Sequence, residues 1–166
     1  LWAMACMNID NQPAAQSLWM RALAKDLCEW KDESLSQLGS VRSWLNLEKA
    51  EWGMQSNALL EAATAAAFSK SHNTAKSSRF HTQVSTALTE LCVSHHNEKS
   101  IGHLLVDIAL VDHKVVVEVD GPHHYRRGEN RTMLGNYRLK QRHLEAQGWR
   151  VVHVPFWEWD PLQTEQ

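Results

Sequence analysis

The sequence predicts an α+β chain: an α-helical N-terminal segment over residues 1–70, followed by a small α/β domain over residues 78–166. Three observations carry this. Apolar residues in the first seventy positions recur at helical spacing. The stretch SKSHNTAKSS at 69–78 is small and polar and marks a boundary. From residue 104 the apolar period drops to two, as in half-buried strands.

The helical part starts with LWAMACM, broken by the turn-rich NIDNQP. Because Leu1 already stands inside an apolar helical pattern, the chain is expected to be a piece of a longer one. Residues 14–30 resume a helix, with Met20, Leu23, Ala24, Leu27 and Trp30 near 3.6-residue spacing. A further helical run starts at Ser34, where Gly39-Ser40 is expected to end one helix and cap the next. Val41, Trp44 and Leu45 share a face. Residues 50–68 are alanine-rich, with Leu59, Ala62, Ala63 and Ala66 expected on the packed stripe. Trp2, Trp19, Trp30, Trp44 and Trp52 read as packing anchors. Stacked helix pairs bury such stripes, as at the end of an α-solenoid.

In the second part, Ser77 or Ser78 caps a helix over 79–91, with Phe80, Val84, Leu88 and Leu91 on its inner face. Residues 92–100 read as a loop, and its His95 and His96 as surface residues. Two strands follow, separated by a turn at 111–113. Alternation puts Leu105, Asp107 and Ala109 on one face of the first and Leu104, Val106, Ile108 and Leu110 on the other. In the second, Val116, Glu118 and Asp120 share a face. Paired as a hairpin, the strands bring Asp107 towards Glu118 and Asp120. A helix over 133–147 has Leu134, Tyr137, Gln141 and Leu144 inward and Arg138 and Arg142 outward. Gly148 suits the left-handed position after it. RVVHVP is a third strand, and FWEWDPL a packed aromatic tail.

The net charge of −2 hides an asymmetry. Residues 121–150 hold seven basic side chains (Arg126, Arg127, Arg131, Arg138, Lys140, Arg142, Arg150) against Glu129 and Glu145. This is the footprint of a polyanion site or a solvated helix face. Three cysteines (Cys6, Cys28, Cys92) lack metal-like spacing, which argues for a reducing compartment rather than a disulfide framework. There is no long uncharged apolar run, so no membrane partner is expected.

Asp107, Glu118 and Asp120 are hard oxygen donors of the kind Mg2+ takes, and His124, just past the strand, can serve as general acid or base. The alternative reading has Glu118 or Asp120 capping the downstream loop, or pairing with Arg126 or Arg131.

Several motifs resemble the RAP domain, an RNA-binding domain abundant in apicomplexans and found in organellar RNA-metabolism proteins. They are Phe80-His81-x-x-Val84, Val106-Asp107-Ile108-Ala109, Val117-Glu118-Val119-Asp120-Gly121-Pro122-x-His124, Leu144-Glu145-Ala146-x-Gly148-Trp149-Arg150-Val151-Val152 and Phe156-Trp157-Glu158-Trp159, between residues 78 and 162. The resemblance implies a restriction-endonuclease-like fold of the very-short-patch-repair type. It also implies Asp107, Glu118 and Asp120 as metal or catalytic carboxylates for Mg2+ or Mn2+, with His124 as helper. The commoner nuclease pattern has lysine where Asp120 stands. Leu1-Trp2-Ala3-Met4-Ala5 is similar to the opening of octotricopeptide-type repeats, which bind single-stranded RNA. The resulting expectation is an RNA-binding protein of organellar RNA metabolism, with a mitochondrial ribosome as one setting. Its phosphate contacts would come from Arg126, Arg127, Arg131, Arg138, Lys140 and Arg142. Its partners would be organellar rRNA or mRNA in a larger ribonucleoprotein, and its compartment the mitochondrion, or alternatively the plastid. The alternatives in function are a metal-dependent endoribonuclease and a protein-interaction module.

Overall fold

The computed structural model describes residues 1–26, 30–54, 57–72, 78–128 and 130–159. Leu27, Cys28, Ser77, Glu129 and residues 160–162, named above, lie outside these. The chain divides into two compact units, Leu1–Ala75 and Lys76–Gln166.

The first unit is helical: α1 (Trp2–Met7), α2 (Gln12–Leu23), α3 (Asp32–Glu48) and α4 (Ala58–His72). Local chemistry sets the ends. Asn8 adopts the left-handed conformation that stops α1. Asn11 and Asn57 accept the amides of Ala14 and Leu60 at 3.1 and 2.8 Å, satisfying first-turn donors of α2 and α4. The core gathers Trp19 of α2, Leu35, Leu38, Val41, Trp44 and Leu45 of α3, and Leu60 and Ala67 of α4.

Three details differ from the sequence reading. Gly39 does not end a helix; α3 runs through it. Glycine suits close packing here, because a Cβ would lie 2.4 Å from the Phe68 ring. The packed stripe of α4 is Leu60, Thr64 and Ala67, whereas Leu59 is 69% exposed. An alanine-rich helix has little contrast between its faces, so sequence fixes its rotation poorly. Of the tryptophans, Trp19 and Trp44 are buried, and Trp52 meets Trp44 edge-on at 5.5 Å, but Trp2 is exposed.

The second unit is a four-stranded sheet in the order β1 (His96–Ile101), β2 (Leu104–Leu110), β3 (Val115–Asp120), β4 (Arg150–Pro155), with α5 (Arg79–Glu90) and α6 (Gly135–Ala146). The first two junctions are antiparallel and β3–β4 is parallel, α6 making the crossover. Ser78 caps α5 by accepting the amide of His81. Gly148 takes φ 81 after α6. All six residues of β3 are buried, as expected of a strand covered on both faces. On one side Val116 joins Ile101, Leu104, Val106, Ala109 and Leu144, with Trp149 and Val151 against them. On the other, Val115, Val117 and Val119 meet Ile108 and Val84, with Phe80, Leu88, Val154 and Trp159.

Residues 96–101 form a strand where a loop is predicted. The faces of β2 also differ from simple alternation. Leu104, Val106 and Ala109 pack on the α6 side, but Ile108 packs on the α5 side. The phase slips by one residue at Asp107, opposite Glu98, which adopts φ 50 in mid-strand. Leu91, just past α5, is exposed, and on α5 His81 and Ser85 are buried beside Val84. On α6, Leu139 and His143 join Leu144 in the interior. Among the described residues, no helix is long and apolar enough to cross a membrane.

Candidate nucleic-acid interface and carboxylate site

Strand β3 carries Glu118 and Asp120 on the face that α6 covers, and β4 supplies His153 directly opposite Glu118. Both carboxylates are almost wholly shielded, at 4% and 1% exposure. Buried carboxylates need partners, and the structure provides them separately.

Asp120 is a hub. His124 Nδ1 donates to Oδ1 at 2.9 Å; Tyr125 Oη and His153 Nδ1 donate to Oδ2 at 2.8 and 2.6 Å. Burial alone would raise its pKa. The hydrogen bonds from His124, His153 and Tyr125, with the charge of His153, outweigh burial and hold the carboxyl well below the usual range. His153 moves the opposite way: its hydrogen bond to Asp120 raises it against burial. Burial and the bond to Asp120 push the Tyr125 phenol up. His124 stacks on Tyr137 at 4.0 Å and 14°, which fixes its ring plane.

Glu118 has a different partner. Lys140 of α6 reaches Glu118 Oε2 at 2.6 Å, the pair being 21% and 5% exposed. Burial raises the Glu118 pKa, Lys140 pulls it down, and Asp107 and Asp120 raise it further; the net direction is up. Asp107 completes the trio from β2. Its Oδ2 accepts the Val119 amide at 2.7 Å, and His81 Nε2 donates to its backbone carbonyl at 3.0 Å.

The three predicted carboxylates therefore do approach one another, but each is already engaged. A magnesium-type ion needs about six oxygens at about 2.0–2.1 Å, several of them waters. Asp120 accepts three hydrogen bonds, and Lys140 occupies one Glu118 oxygen. The pocket lined by Glu118, Asp120, Tyr137, Lys140, Gln141, Leu144, Val151 and His153 has no room for a water-sized sphere. Among the described residues no three His, Cys, Asp or Glu groups are placed to hold a metal ion. The donor set as built does not fit Mg2+ or Mn2+.

The basic residues divide as well. Arg126, Arg127 and Arg131 are exposed on a hairpin-like loop. The loop is closed by a bridge between Tyr125 and Met133, the bond from Arg126 N to Thr132 O at 2.8 Å, and that from Leu134 N to His124 O at 2.9 Å. Arg126, Arg127, Gly128, Asn130, Arg131 and Thr132 surround a cavity of about 270 Å3. Arg131 is braced over Trp157 at 4.7 Å. Arg138 is exposed on α6 and Arg142 is half-buried. Lys140, predicted to contact phosphate, is instead committed to Glu118. His153, Tyr125 and Tyr137 are partners that sequence reasoning missed. A histidine inside the apolar strand RVVHVP is the one signal that pointed to them.

Residues 117–166 match the RAP domain family model. This C-terminal segment is similar to the RAP domain. The matched segment includes Glu118, Asp120, His124 and all six predicted phosphate-contacting residues, and starts beyond Asp107. A chloroplastic RAP domain-containing protein of Oryza sativa subsp. japonica is 28% identical over 176 residues, covering 99% of this chain. The chain spans 27% of that protein's length. The catalytic domain of the homing endonuclease I-Bth0305I superposes with a TM-score of 0.42 at 18% identity, covering 53% of this chain and 86% of that one. The RAP domain is a nucleic-acid-binding domain.

Proposed function

We propose that this protein binds single-stranded RNA of an organelle, rRNA or mRNA, through the RAP-domain loop at 126–132 and the adjacent Arg138, and that it does so within a larger ribonucleoprotein such as an organellar ribosome. The observation that carries the reading is the arginine loop. Three arginines line one cavity on a backbone pinned at both ends. Such a loop presents phosphate donors with little ordering cost on binding. Arginine suits this role because its planar fork matches phosphate oxygens in pairs. The chloroplastic relative supports a plastid as the compartment, ahead of the mitochondrion.

The test is fluorescence anisotropy of labelled single-stranded RNA over a salt series. Neutralising three to four phosphates gives a slope of log K against log salt of roughly −2 to −3. No binding at low salt, or binding without salt dependence, contradicts the reading.

A further inference from the structure

We infer that Lys140 is the built-in cation of the carboxylate site, so that the native protein does not take up a divalent ion between Asp107, Glu118 and Asp120. The inference is independent of the RNA reading. It starts from charge. Three carboxylates gathered at the junction of two strands, two of them nearly inaccessible, cannot all stay ionised without positive charge close by. Nuclease-like sites of this composition meet that need with a metal. Here the helix meets it: α6 sets Lys140 on the same surface as Tyr137 and Leu144, over β3, and its ammonium lies 2.6 Å from Glu118 Oε2.

Steric and hydrogen-bonding facts point the same way. Asp120 accepts three hydrogen bonds, from His124 on Oδ1 and from Tyr125 and His153 on Oδ2. Asp107 Oδ2 is taken by the Val119 amide. Two oxygens of the trio accept no hydrogen bond, the buried Glu118 Oε1 and Asp107 Oδ1, against the six or so donors an Mg2+ requires. Between Glu118, Asp120 and Lys140 the pocket has no space for the waters that normally complete such a shell. A divalent ion would first have to expel Lys140, since an ammonium and a dication cannot share one carboxylate oxygen at contact distance.

The converse follows. Replacing Lys140 with a neutral, shorter side chain removes the competing charge, opens the pocket and leaves Glu118 uncompensated, so affinity for a divalent ion should appear. The experiment titrates Mn2+ into the native protein, Lys140→Gln, Glu118→Gln, and Lys140→Gln combined with Glu118→Gln. Free Mn2+ is followed by electron paramagnetic resonance and thermal melting is measured in parallel. The inference expects no saturable Mn2+ site in the native protein and no rise in its Tm. Lys140→Gln should bind at least about tenfold more tightly, a gain of about 1.4 kcal/mol, and melt higher with Mn2+. The double variant should lose both effects. Saturable binding to the native protein that Glu118→Gln removes overturns the inference, and so does a folded Lys140→Gln that gains no Mn2+ affinity. If Lys140→Gln does not fold, the native protein against Glu118→Gln still decides it.

Discussion

Asp107 Oδ2 accepts the amide of Val119 at 2.7 Å, where β2 and β3 stop pairing. The ladder last matches Ile108 with Val117, and beyond it a side chain replaces the missing strand as acceptor. Asp107 is thus a structural residue at the edge of the candidate site. Asp107→Asn keeps an acceptor and should change stability little. Asp107→Ala leaves a buried amide unpaired, at a cost of about 1–3 kcal/mol. Urea unfolding of both variants checks this, and equal losses would contradict it.

Asp120 holds three donors that have no other acceptor of this kind. Removing one partner from a buried charged network typically costs about 3–5 kcal/mol, and Asp120→Ala should fall in that range by denaturant unfolding. The pH dependence follows from two opposite shifts. The Asp120 carboxyl is depressed, so its contribution is present above the unfolded value of about 3.9 and is lost as pH falls through the lower folded value. His153 is raised, so its contribution is full below about 6.5 and fades as pH rises through the higher folded value. An NMR titration should therefore place His153 above about 6.5. A lower midpoint would contradict the hydrogen bond to Asp120.

His143 is wholly buried, and burial, with the neighbouring His103 and Arg142, pushes it down to about 3. The unfolded chain binds the proton first, so stability from this group is present above about 6.5 and is lost on acidification towards the folded value. Between pH 6.5 and pH 4 the loss should be on the order of 3 kcal/mol. His143→Leu should flatten that part of the stability profile. A profile unchanged by the substitution would contradict it.

The sequence readings that succeeded rest on contrast. Strands β2 and β3, the turn between them, the Ser78 cap and Gly148 all show abrupt changes of residue type. Strand β1, HNEKSI, escaped because an exposed edge strand has only Ile101 buried and no alternation to read. The slip at Asp107 escaped because the left-handed backbone at Glu98 opposite it, φ 50, leaves no trace in composition. The convergence of Asp107, Glu118 and Asp120 was visible from strand period alone. Their partners were not, because the rotation of α6 that aims Lys140 at Glu118, and the parallel register that sets His153 beside it, are tertiary facts.

The most direct test of the account is the RNA affinity of Arg126→Glu/Arg127→Glu, a double variant in the loop, measured beside the native protein over the same salt series. Both side chains are exposed, so the fold should be retained, as circular dichroism will verify. The account predicts RNA binding weakened by at least about tenfold and a salt slope shallower by roughly 1.4. Native-like affinity and slope in the folded variant would contradict it.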